Sequence, residues 1–302
     1  MKFSDVAAGY LAAPSTPIPE PFVSQTPARR LRDAVEPIAT QGWWGKGVHD
    51  RLEPSGLGFL EAYIWGRAAF LGEPTAGVVV AAFGVFEPTF LAGMYAHSRS
   101  LVSRAEVLAA REAGAVESLE QVVEVDSEII AAGNSLLEVT SLIDATARPL
   151  FAGLRDLPVP DSPLGRLWRG SELVREHRGD GHLGVCISEG LDPLEMSLLT
   201  ELWLDYKPGE YSSSRGYGLD AISAVKERLI RHGLLNEAGD SLNAVGRAMR
   251  ESIEVATDRS QNALIEALGS RLDSVVQTAS RVSTALVEAR SFPSDPRKRA
   301  AG

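Results

Sequence analysis

Residues 224–254 read AVKERLIRHGLLNEAGDSLNAVGRAMRESIE, and the order of stops and caps in this stretch decides the fold. Ile222, Val225, Leu229 and Ile230 recur at helical spacing, which predicts a helix with one apolar face from Leu219 to His232. Gly233 supplies the left-handed residue that ends it. Leu234-Leu235 and Ser241-Leu242 flank Glu237 to Asp240, a short hairpin-like turn. Asn243 then caps a last helix that carries Val245, Met249 and Ile253, and an earlier helix spans Leu194 to Tyr206.

Over residues 192–257 this order is the pattern of a winged helix, and it resembles the MarR type. Leu242-Asn243-Ala244-Val245-Gly246 stands where that type carries Leu-Thr-x-x-Gly. Four further stretches extend the likeness: WGRAAFLGEP (Trp65 to Pro74), LWRGSELVREHRGDGH (Leu167 to His182), RGYG (Arg215 to Gly218) and ATDR (Ala256 to Arg259). With them, most of residues 40–270 is similar to an actinobacterial helix-turn-helix family. That resemblance implies an all-helical first part joined to a C-terminal MarR-like winged helix.

Working outward, the expected class is mostly α: an N-terminal helical bundle, then a winged helix-turn-helix domain with a small β wing, then a long C-terminal helix. Pro14, Pro17, Pro19, Pro21 and Pro27 make residues 1–27 a proline-rich arm, because proline removes backbone donors and favours an extended path. Residues 28–157 form the bundle. Thr26 caps its first helix, with Pro27 at the first helical position. The glycine-rich segment from Gly42 to Gly58 reads as a loop, and Leu57, Leu60, Ile64, Ala68 and Leu71 line one helical face. The apolar run from Ala76 to Phe86 lacks period-two alternation, so it reads as buried helix rather than strand.

Ser103 and Glu106 form a capping box, followed by two helices broken near Gly133-Asn134. Pro158, Pro160 and Pro163 open a second unit, residues 158–260, with a helix from Leu164 to His177, a turn at Gly179-Asp180-Gly181 and a short helix from His182 to Ser188. Leu264, Leu268, Leu272, Val275, Ala279, Val282 and Leu286 then predict one long helix within 261–290 that packs along another helix. Its partner is either its own domain or a second copy in a homodimer. Residues 291–302 read as a disordered tail.

The chain has 302 residues, 44% of them hydrophobic, and a formal net charge of -10. A packed core follows, and wholesale disorder does not. The single cysteine, Cys186, excludes an internal disulfide and reads as a structural, buried thiol. No secretory signal and no membrane span is expected, which places the protein in the cytoplasm. Residues 192–259 carry twelve acidic and eight basic side chains, a net of -4, so repulsion by phosphates opposes DNA affinity. DNA as a partner therefore rests on Arg215, Lys226, Arg228 and Arg231.

The densest polar cluster is Arg175-Glu176-His177-Arg178-Gly179-Asp180-Gly181-His182. One reading is a structural joint. A second is a site for a polar or anionic small molecule, with Arg175 and Arg178 as anion contacts, His177 and His182 as hydrogen-bond donors and Asp180 beside them. A metal site on His177, Asp180 and His182 is the weakest, because their spacing matches no diagnostic ligand pattern. Trp65, Arg67, Phe83, Phe86, Tyr95 and His97 form an aromatic set that is either core or an apolar ligand pocket. No motif assigns a cofactor or a catalytic residue. Three functions stay open: a ligand-responsive regulator, an enzyme or ligand-sequestering protein that uses the winged helix as scaffold, and a protein-interaction module.

Overall fold

The computed structural model describes residues 1–12 and 26–300, and within them the chain is mostly helical. Residues 13–25 of the expected proline-rich arm lie outside the described residues; its start is corrected from an extended path to a helix, Phe3–Tyr10. The helix Pro27–Ala39 begins as its residues dictate, with the Thr26 hydroxyl accepting from the Arg29 N–H at 3.1 Å. Pro37 lies inside this helix, where it gives up the bond to the carbonyl four residues back, and the helix ends at Ala39.

Two apolar cores form. The larger one gathers Leu31, Ile38, Trp65, Phe70, Phe151 and Trp168 with the C-terminal residues Leu264, Leu268, Val275, Ala279, Val282 and Leu286. The smaller one joins Leu198, Leu199, Leu202 and Trp203 of helix Pro193–Trp203 to Ile222, Val225 and Leu229 of helix Leu219–Arg231, and to Ile253 of helix Ala244–Arg259. Each such side chain contributes about 1.5–3 kcal/mol by leaving water. One helix, Pro163–Ser188, runs from one core into the other, with Trp168 in the first and Cys186 in the second.

Several expectations are corrected. The segment 42–58 is not a loop: it holds helices Gln41–Trp44 and Lys46–Leu52 and a 3-10 turn, Glu53–Ser55. Gly45 serves close packing instead, since a Cβ there would come within 2.6 Å of Ser118 Oγ on the crossing helix Arg104–Glu120. A Cβ on Gly114 of that helix would in turn come within 2.2 Å of the Val48 backbone nitrogen. The capping box of Ser103 and Glu106 forms, but the break that follows lies between Glu120 and Ser127. Gly133 is interior to helix Ser127–Leu142, where it admits the backbone of Leu167.

The apolar run is helical over Ala76–Phe83. The expected single C-terminal helix is interrupted by a 3-10 turn at Gly269–Arg271, between Asn262–Leu268 and Leu272–Glu288. Its apolar seam is buried within its own bundle, with the Ser283 hydroxyl donating to the Ala34 carbonyl at 2.6 Å, and so is not exposed for a second copy. The tail is not disordered up to Ala300: Pro296–Ala300 is helical, and Asp295 pairs with Arg297 at 2.8 Å.

The expected small β wing is not found. Among the described residues no strand forms, and Leu235 and Leu242 make one isolated antiparallel bridge. Both flanks turn into helices at once, and the Asn236 side chain caps the turn by accepting from the Asp240 N–H at 3.1 Å, which leaves no length for a ladder. Gly246 lets the last helix seat against this turn, since a Cβ there would fall 2.1 Å from the Leu234 carbonyl oxygen.

Candidate functional site

The helix Pro163–Ser188 starts at Ser162, whose hydroxyl accepts from the Gly165 N–H, and continues unbroken through residues 179–181. The turn read at Gly179-Asp180-Gly181 is therefore corrected. Glycine in a helix costs about 1 kcal/mol, but burial and ion pairing along this helix outweigh that. Gly181 is also where Arg148 and Ser260 press in, both 2.6 Å from where its Cβ would be. Asp180 caps no helix of its own; its carboxylate accepts from the Phe151 N–H at 3.0 Å, at the start of the neighbouring helix Pro149–Arg155.

The charged residues of this helix are buried in pairs. Arg67 holds Glu176 in a bidentate pair at 3.1 and 2.6 Å. Arg175 reaches Glu36 and Glu176, each at 3.2 Å. Arg178 pairs with Glu254 at 2.7 Å, and Glu254 also receives Arg29 at 3.0 Å and Arg250 at 2.7 Å. Burial pushes the Glu254 carboxyl up, but Arg250 and Arg178 outweigh it and hold it well below the usual carboxylate range.

Between the two cores lies a polar chamber of about 140 Å³. Six guanidinium groups line it, from Arg32, Arg67, Arg175, Arg178, Arg215 and Arg250, against three carboxylates, from Glu36, Asp180 and Glu254. The buried Arg178 Nε and Glu36 Oε2 have no hydrogen-bond partner among the described residues. Burial raises the Asp180 carboxyl to about 7. Burial, with Arg250 next, lowers His182 to about 3, which keeps that imidazole neutral.

An apolar chamber of about 410 Å³ adjoins it and shares Glu36, Tyr63, Arg175, Tyr211 and Arg215 with it. Trp43, Trp44, Phe59, Phe86, Phe90 and Met94 line its walls. The two chambers together thus draw residues from the bundle and from the segment 211–215 that leads into helix Leu219–Arg231.

A family model described as a helix-turn-helix family matches residues 28–293. The chain belongs to this helix-turn-helix family. No curated protein and no solved structure matches it. Membership in a helix-turn-helix family points to a DNA-binding or regulatory protein, and no helix among the described residues is long and apolar enough to cross a membrane.

In this helix-turn-helix chain the sequence-selected residues separate into groups. Arg175, Arg178, Asp180, His182, Arg67 and Phe83 line the polar chamber, and Phe86 lines the apolar one. His177 faces away, bonded through Nδ1 to Gln261 at 2.8 Å and packed edge-on against Phe151. His182 meets Thr257 at 3.0 Å instead, so the two histidines do not converge. Among the described residues no group of three potential metal ligands exists, which corrects the metal reading of His177, Asp180 and His182.

Trp65 is core, donating to the Val102 carbonyl at 2.8 Å, and His97 sits exposed on helix Pro88–Leu101, outside the aromatic set. Cys186 is buried, and burial raises its thiol to about 11.

The residues selected for DNA also divide. Arg215 is drawn into the junction, stacked on Tyr211 at 4.2 Å and Phe86 at 5.5 Å. Arg228 turns back to Asp192 and Glu195, the capping box of helix Pro193–Trp203. Lys226 packs beside Gly239 of the turn, and Arg231 is open to solvent. Sequence reasoning missed Arg250, Glu254, Tyr63 and Tyr211 at the junction. The only signal for them was the helical spacing from Arg250 to Glu254, which on its own reads as a surface pair.

Proposed function

We propose that the protein is a small-molecule-responsive, cytoplasmic regulator in which a MarR-like winged helix-turn-helix half reads DNA and the junction between the two cores holds the effector. The observation that carries this reading is the composition of the junction chambers. Their walls come both from the bundle and from the segment that leads into helix Leu219–Arg231, so an occupant touches both halves at once. A ligand that contacts two packed bodies shifts their relative positions by its differential affinity for the two arrangements.

DNA contact falls to the exposed cations Arg231 and Arg247, with Lys226 beside the turn. The helix Leu219–Arg231 also exposes Asp220 and Glu227, so affinity comes from few phosphate contacts and specificity from groove readout. The test is a selection of genomic DNA fragments on the purified full chain at low salt, run with native mass spectrometry of the same preparation. Enrichment of a defined site, with a small molecule retained on the protein, is the expected result. A fragment pool no different from input removes the DNA half of the proposal, and bare protein mass removes the effector half.

A further inference from the structure

Charge does not single out an occupant for the apolar chamber, because Glu36 and Glu61 line it together with Arg175, Arg215 and Lys298, and Asp295 and Glu210 act on Lys298. Its outer wall is the distinctive feature. Met1, Val6 and Tyr10 line the chamber at and beside helix Phe3–Tyr10, while Ser4, Asp5 and Gly9 of that helix are exposed, so a single helix separates the cavity from solvent on this side. The seat under the helix is built from the chamber's own surroundings. The Phe3 ring stacks on His49 at 4.4 Å, and the His49 Nε2–H donates at 2.7 Å to the carbonyl of Trp43, a wall residue. The Phe59 N–H donates to the Met1 carbonyl at 2.9 Å, and the Phe3 N–H donates to the Glu53 carboxylate at 2.7 Å. At the far end Tyr10 meets Trp44 at 6.3 Å and has the Lys298 ammonium over its ring at 4.5 Å.

Little holds this helix down. It has 8 residues, no side-chain cap at its start, and only Phe3 and Val6 buried. A helix shorter than about 12–15 residues is marginal in water by itself, so this one keeps its shape only while docked, and undocking and unfolding are one event. Elements with few buried apolar contacts open at a free energy well below that of global unfolding. Resting on the reading of the junction as an effector site, we propose that helix Phe3–Tyr10 is a lid on the apolar chamber, which lies shut over the cavity and lifts to admit the effector. The Tyr10 end gives the lid a second consequence. Lys298 also lies over the rings of Tyr206, a member of the smaller core, and Tyr211, at 4.9 and 5.6 Å. Lifting the lid therefore removes one neighbour from a cation that touches the other half.

Stopped-flow fluorescence of the full chain with the neutral dye N-phenyl-1-naphthylamine tests the proposal, read by energy transfer from tryptophan, since Trp43 and Trp44 line the chamber. If the lid must lift first, the observed rate becomes independent of dye concentration at saturation, where it equals the opening rate. Phe3 lies outside the cavity wall, so Phe3→Ala loosens the lid and leaves the cavity as it is. It is expected to raise the limiting rate at least about ten-fold, the equivalent of about 1.4 kcal/mol. Gly58→Ala acts on the same contact from the other side, because its methyl group would come 2.5 Å from the Met1 carbonyl oxygen, and it is expected to raise the rate as well. Dye bound per chain at saturation stays unchanged in both variants, which also shows that the chamber is intact; should Phe3→Ala take up no dye, Gly58→Ala decides alone. A rate proportional to dye concentration throughout, or a limit that neither substitution moves, overturns the lid and leaves the chamber as a ligand site. If the dye enters none of the three proteins, this inference falls, and native mass spectrometry decides separately whether the effector reading survives: a retained small molecule keeps it, and bare protein ends it.

Discussion

Replacing Asp180 by Asn is expected to stabilise the protein at alkaline pH and to do nothing in acid. The carboxyl is 5% exposed and raised from 3.8 to about 7, chiefly by burial, with Glu176 adding to the shift and the Phe151 N–H, Arg67 and Arg148 opposing it. A carboxyl whose folded-state pKa lies above its unfolded value costs nothing below the lower value, where both states hold the proton. The cost accumulates as pH rises from 3.8 to about 7 and is complete above that. About three pH units at roughly 1.4 kcal/mol each set a ceiling near 4 kcal/mol.

Asparagine is neutral at every pH and still offers an oxygen to the Phe151 N–H, so it removes the charge and keeps the contact. His177 and His182 titrate in both proteins and cancel in the difference. Urea unfolding of parent and Asp180→Asn across the acid-to-alkaline range reads the effect. The variant should gain up to about 4 kcal/mol at alkaline pH and converge with the parent towards the ordinary carboxyl pKa. A variant less stable at alkaline pH, or a difference that does not change with pH, refutes the reasoning.

Glu254→Gln leaves Arg29, Arg178 and Arg250 around a neutral group, and breaking a buried charge pair costs about 3–5 kcal/mol, which the same urea titration measures as a lower midpoint. Gly246→Ala drives a methyl group into the Leu234 carbonyl and should loosen the smaller core, seen as faster amide exchange in residues 219–259 with the larger core still protected. If Lys226, Arg231 and Arg247 supply the phosphate contacts, the plot of log K against log salt for the selected DNA should have a slope no steeper than about -3, measured by fluorescence anisotropy.

Much of the fold is written in local chemistry that a reader of sequence can use. Thr26 before Pro27, Ser103 with Glu106, and Asn243 before the last helix place their caps because a side-chain oxygen and an orphan N–H are neighbours in the chain. Glycine misled wherever its purpose was tertiary. Gly133 and Gly181 sit where another segment presses against a helix, and nothing local distinguishes that from a turn. The junction was legible only in separate pieces, with Arg67, Phe83 and Phe86 read as one set and Arg175 to His182 as another. The run from Arg175 to His182 announced a polar site, yet its partners Glu36, Arg67 and Glu254 lie far away in sequence, and only folding brings them together. Arg215 shows the reverse case: its place before helix Leu219–Arg231 suggests phosphate, and its stacking on Tyr211 and Phe86 is set by residues that sequence spacing does not connect.

The proposed regulation stands on coupling between an occupied junction and DNA binding by the half around helix Leu219–Arg231. The direct measurement is the affinity of the full chain for its selected DNA fragment with and without a filtered low-molecular-mass cell extract. Coupling between two sites is worth about 1–3 kcal/mol, so the extract should change that affinity at least about five-fold, in either direction. Identical affinities, with native mass spectrometry showing the junction occupied in one sample and not in the other, would contradict it.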